Sequence, residues 1–120
     1  MDNHSLLISI DALLEEKMLA INGHQVLPDY DLSELLQISI YHLRKKVKDN
    51  KKRFPADFLF TISNMNFSLS PCAKKSIYAF SWGGIMQAVG LFKTKRAIEI
   101  HLQLIRCYTK MLKEKSLMFF

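Results

Sequence analysis

Cysteine is nearly missing from this chain. Cys72 and Cys107 are the only two in 120 residues, too few and too isolated to knit a disulfide scaffold. The N-terminus lacks the features of a secretory signal, so a reducing cytoplasm is the expected compartment. Membrane-length apolar runs are lacking too. Residues 76–92 carry no charge, but they fall short of the roughly 20 apolar residues a bilayer span needs. They also contain Ser81, Gly83, Gly84 and Gln87, and read as protein core. There is no internal repeat and no low-complexity tract. A glycine-rich phosphate loop, a metal-spaced Cys/His cluster and a nucleophile elbow are all absent. His4, His24, His42 and His101 are scattered. His101 is bordered by Ile98, Leu104 and Ile105, as a hydrogen-bonded, partly buried histidine would be, and Cys107 reads as a small core residue. No catalytic residue, metal or cofactor is expected, and the chain does not read as an enzyme.

Acidic residues are the last shortage, 11 against 17 basic ones for a net +6. The imbalance is local. Residues 44–53 hold seven basic side chains and one acidic, so this segment alone nets +6 and the remainder nets zero. A solvated basic helix normally mixes signs, with Glu placed to pair with Lys. Here only Asp49 does so, which points to a polyanionic partner.

Around that segment lies a recognisable pattern. A hydrophobic content of 49% with 23% charged residues suits one globular domain over residues 1–120. Residues 31–58 predict two short helices joined by a tight turn. Leu32, Leu35 and Leu36 give the first an apolar face, with Asp31 as its expected cap and Glu34 three residues on. Gln37, Ile38 and Ser39 make the turn, and Ser39 is a good N-cap for the second helix. There Ile40, Leu43 and Val47 recur at the inward spacing. Tyr41, His42, Lys45, Asp49 and Lys52 lie opposite, flanked by Lys46 and Lys48. This is a helix-turn-helix over about 31–53 whose second helix offers its polar face to a groove.

The rest of the chain frames this unit. Residues 6–10 read as an edge strand or a simple lead-in, followed by a short turn at 12–16 capped by Asp11. Residues 18–21 and 24–27 flank Asn22-Gly23, the strongest short hairpin signal. Phe54-Pro55 closes the basic helix, because the residue before Pro is pushed out of the α region. Strands at 58–62 and 77–80, with a polar loop over 63–76 between them, suggest a wing. Lys74 and Lys75 at its return either touch phosphate or simply solubilise the loop. Ser81 caps a helix at 82–89, in which Gly83 and Gly84 imply close backbone packing. Thr94 caps a long helix over about 94–114. Ala97, Ile98, Leu102, Leu104, Ile105, Tyr108, Met111 and Leu112 are its expected apolar face, and Glu99, Gln103, Arg106, Lys110 and Lys113 its polar one. The fold class is therefore α+β: a small, mainly helical domain with one or two short, wing-like β-hairpins and a long C-terminal helix.

The order of INGHQVL (21–27), DYDLSELLQIS (29–39), a basic helix, RFPADF (53–58), YAFSWGGI (78–85) and KRAIEI (95–100) resembles the phage ORF-six N-terminal domain. That family is of the KilA-N type of DNA-binding modules found in phage antirepressors and prophage-like genes. The resemblance spans about 13–112. It implies a DNA-binding role, often linked to lysogeny control, with residues 38–52 as the reading helix and 53–58 as a structural hinge. A turn position often held by Gly in the family is Gln37 here. If it needs positive φ, Gln costs on the order of 1 kcal/mol relative to Gly.

The expected function is that of a double-stranded DNA-binding module of phage or prophage origin. Ser39, Tyr41, His42 and Lys45 would face base edges, while Arg44, Lys46, Lys48, Lys51, Lys52 and Arg53 sit on phosphates. The competing reading is a protein-interaction module, an antirepressor that holds a repressor protein through the final helix and the apolar 117–120 tail. A homodimer through the C-terminal helix is a further expectation.

Overall fold

A computed structural model describes residues 10, 12–14, 16–21, 23–63 and 76–117. The fold is α+β, as expected. Strands β1 (Leu19–Ile21) and β2 (His24–Pro28) form a hairpin with Ile21 opposite His24. Gly23 takes φ +82, which a residue without Cβ adopts freely. β2 runs directly into α1 (Asp29–Leu36), followed by α2 (Ile40–Asp49) and a single 3₁₀ turn, Lys51–Arg53. Strands β3 (Leu59–Ser63) and β4 (Ser76–Phe80) follow, then α3 (Trp82–Val89) and α4 (Lys95–Leu117).

The two hairpins do not stand apart. β4 also pairs with β2, Leu27 opposite Phe80 and Pro28 opposite Ala79, giving one four-stranded antiparallel sheet in the order β1-β2-β4-β3. The expected wing is thus the outer half of a sheet. Strand alternation divides the apolar residues between its faces. Leu27 and Phe80 join the main core with Leu32, Leu36, Leu43, Val47, Ile85 and Ile100, while Val26, Ile62, Ile77 and Ala79 form a smaller cluster. Within residues 76–92 the apolar side chains Ile77, Ala79, Phe80, Ile85, Ala88, Val89 and Phe92 are buried in the core, and no helix among the described residues is long and apolar enough to cross a membrane.

Several local expectations change. Ile10 is helical and fully buried rather than the end of a strand; residues 6–9 and Asp11 lie outside the described residues. Asp31 does not cap α1, which begins two residues earlier with extended Pro28 at its N-cap position. Pro suits a strand that passes straight into a helix, because its fixed φ is compatible with both. Asp31 sits instead in the first turn. Burial raises its carboxyl above the ordinary value, Glu34 and Asp29 add to the rise, and Lys17 opposes it.

The glycine expectation holds in detail. Ser81 Oγ accepts from the Gly84 N–H at 3.4 Å and donates to the Asp57 carbonyl at 2.7 Å, while the Ser81 N–H reaches the Phe58 carbonyl at 3.2 Å. A Cβ on Gly84 would run into that Phe58 carbonyl oxygen, and one on Gly83 would meet the Phe58 ring at 2.6 Å. The two glycines let the 57–58 backbone cross the start of α3.

α4 departs most from its expected faces. Ala97, Ile100 and Leu104 are buried, and so is Gln103, against its expected place on the polar side. Ile98, Leu102, Ile105, Tyr108, Met111 and Leu112 are exposed. The broad apolar face is really two faces of one helix, of which one packs on the core. The tail residues 118–120 lie outside the described residues.

Candidate nucleic-acid interface

The geometry of α2 begins with the turn before it. Gln37 adopts φ 57 and ψ 44, the left-handed conformation usually given to Gly. Its N–H bonds the Glu34 carbonyl at 3.1 Å and the Ile38 N–H bonds the Ser33 carbonyl at 3.0 Å, the paired bonds of a Schellman motif. Ile38 then packs against the main core. These contacts offset the strain of a side chain at positive φ. Ser39 opens α2 as expected, its Oγ accepting from the His42 N–H at 3.0 Å.

Leu43 and Val47 bury the inner side of α2. At about 100° per residue, Lys45 lies directly opposite, Tyr41 within about 40° of it and Lys48 about 60° to one side. All three are exposed, Tyr41 to 78%. Lys45 Nζ lies 3.1 Å from the Asp49 carboxylate, a solvent-exposed i,i+4 pair, so the lone acid of the segment already has a counter-ion. His42 is exposed about 60° to the other side, its ring edge-on to Phe92 at 5.2 Å.

Arg44 is turned the other way. Its Nε donates to Asp29 Oδ2 at 2.8 Å, and that oxygen also accepts the Tyr78 backbone N–H at 3.1 Å. Asp29 is wholly buried and Arg44 is 35% exposed. One carboxylate therefore ties α2 to the start of α1 and to β4. Asp29 escaped the sequence reading because its partners lie 15 and 49 residues away. The only local hint was an acidic residue in a helix's first turn.

α2 is also shorter than expected. It ends at Asp49, where the Asn50 side chain donates to the Lys46 carbonyl at 2.8 Å. Lys51, Lys52 and Arg53 form a separate exposed turn, so Lys52 does not continue the outward row of α2. Buried Phe54 forces this break. Its ring meets Phe80 edge-on at 6.1 Å, and Pro55 behind it prevents a further helical turn. Gln87 of α3 holds the turn by donating to the Arg53 carbonyl at 2.9 Å.

The structure thus brings Ser39, Tyr41, Lys45 and Lys48 together on α2, adds half-buried Lys46 at its flank, and gathers Lys51, Lys52 and Arg53 at its end. Lys74 and Lys75 lie outside the described residues. No three His, Cys, Asp or Glu side chains among the described residues are placed to hold a metal ion.

The family model of the ORF6N domain matches residues 16–92. This span runs from the residues before β1 through α3 and stops short of α4, a narrower reach than the 13–112 expected. No curated protein and no solved structure matches the chain.

Proposed function

The chain belongs to the ORF6N domain family, and from that membership and the geometry of α2 we propose that it is a non-enzymatic, double-stranded DNA-binding module of phage or prophage origin, serving transcriptional or antirepressor-type regulation. One observation carries the reading: the chain's whole excess charge sits on a helix and turn whose opposite side is anchored in the core. In this proposal α2 enters the major groove. Tyr41 and Lys45 meet base edges, with Ser39 and His42 at the rim. Lys46, Lys48, Lys51, Lys52 and Arg53 rest on phosphates and set the register. Arg44 serves the interface indirectly, by holding α2 at a fixed angle to the sheet.

The test is selection of bound sites from a random DNA pool, followed by titration with salt. A preferred sequence should emerge. With Lys46, Lys48, Lys51, Lys52 and Arg53 engaging about five phosphates, the log–log salt slope should be near −4.5, at about −0.9 per phosphate. A flat salt response with no enriched sequence would rule the reading out. The competing antirepressor reading draws on the exposed apolar residues of α4, which need not meet DNA at all.

A further inference from the structure

α4 carries an apolar strip on the side away from the core. Ile98, Leu102, Ile105 and Leu112 are 51%, 49%, 44% and 48% exposed. Their spacing, with Thr109 completing it, alternates four and three residues, the spacing of a two-helix seam. At about 100° per residue the strip lies roughly opposite Ile100 and Cys107. It begins after the last residue of the family match and lies on a different helix from the basic segment.

From this strip we propose that the chain forms a homodimer in which α4 packs antiparallel against α4 of a second copy. Seating Leu102 of one copy against Ile105 of the other repeats the same contact twice about a two-fold axis, as an isologous interface requires. Ile98 then faces Thr109, and the aliphatic stem of Lys95 covers Leu112. In this register Glu99 comes within about two residues, some 3 Å along the axis, of Arg106 of the second copy. Two opposite-charge pairs flank the seam. A parallel pairing offers no such match, because His101 and Tyr108 would face Arg106 and Lys113. Among the described residues, neither Glu99 nor Arg106 has an ion-pair partner.

The size is modest. Ile98, Leu102, Ile105 and Leu112, each about half exposed, put roughly 300 Å² on the surface, within the range of the largest patch on a monomer. Two such strips face to face supply about 600 Å², and the flanking stems and charge pairs add the rest of an interface at the small end of the specific range. The proposal goes beyond the DNA-binding reading and can stand or fall without it. If both hold, the dimer presents two copies of α2 to two half-sites of a pseudo-palindrome.

Analytical ultracentrifugation of the full chain, without DNA, tests it. Twice the chain mass is expected at micromolar concentration and above. The double variant Leu102→Glu with Ile105→Glu, both at exposed positions, should sediment as a monomer with an unchanged circular dichroism spectrum. Glu99→Arg and Arg106→Glu should each weaken the dimer severalfold, and the two together should restore it, since the exchanged charges pair again across the axis. A chain that is monomeric at every concentration overturns the proposal and leaves the strip to a different protein. A dimer that survives the double glutamate variant overturns it as well, and failure of the charge exchange to rescue overturns the antiparallel arrangement.

Discussion

Replacing Arg44 with Ala should cost far more stability than its partly exposed position suggests. Lost attraction is the smaller part of the effect. The buried Asp29 carboxylate is held by one guanidinium N–H at 2.8 Å and one backbone N–H at 3.1 Å. Arg44→Ala leaves the charge in place with a single donor, and an uncompensated buried charge costs about 3–5 kcal/mol. Arg44 is 35% exposed, so water screens part of the site and about 3 kcal/mol is the better expectation. Asp29→Asn acts differently. It keeps an acceptor for the Tyr78 N–H and frees Arg44 to swing into water, at about 1.5–2 kcal/mol for the lost charged hydrogen bond. The Asp29→Asn, Arg44→Ala double variant should then resemble Asp29→Asn alone, with a coupling of roughly 3 kcal/mol. In a domain of this size each kcal/mol moves Tm by about 3–5 °C, so Arg44→Ala should melt some 10–15 °C lower. Urea unfolding of the three variants, with exposed Lys48→Ala as control, measures the cycle. If Arg44→Ala falls within about 0.5 kcal/mol of wild type, as surface substitutions do, the ion pair does not hold α2, and Arg44 returns to the list of DNA contacts.

Three further substitutions probe the same framework. Gln37→Gly should stabilise by about 0.5–1 kcal/mol, because only the strain at φ 57 is removed; a lower urea midpoint would show that the Gln37 side chain contributes more than its backbone costs. Gly84→Ala should destabilise by about 2 kcal/mol or more, since its Cβ meets the Phe58 carbonyl rather than a yielding side chain, and unchanged thermal melting would disprove that close approach. Phe54→Ala should cost about 3–5 kcal/mol through the cavity left beside Phe80. DNA affinity should fall only in proportion to the unfolded fraction, so a variant with native stability and no binding would place Phe54 at the interface instead.

Much of this architecture was legible because its causes are local. Asn22-Gly23 announced the β1–β2 hairpin, and Ser39, Ser81 and Thr94 each cap the helix they were expected to cap. A hydroxyl reaching the N–H three residues on needs nothing from the rest of the chain. The Gly83-Gly84 pair was legible as a demand for space, although its neighbour Phe58 was not. The basic segment was plain from composition, and so was the buried side of α2 from the spacing of Leu43 and Val47.

What the sequence by itself determined, then, is the set of elements, their caps and the placement of charge, all of which act over a few residues. Only the tertiary structure decided how those elements share their surfaces. It joined two hairpins through Leu27–Phe80 pairing, sent Arg44 inward to Asp29 and not outward to phosphate, ended α2 at Asp49 beneath Phe54, and buried Gln103 while leaving Leu102 and Ile105 in water. Periodicity tells which residues lie on one side of a helix. It cannot tell which of two apolar sides meets the core, because that choice depends on segments distant in sequence, and hydrophobic burial is indifferent to which of them supplies the cover.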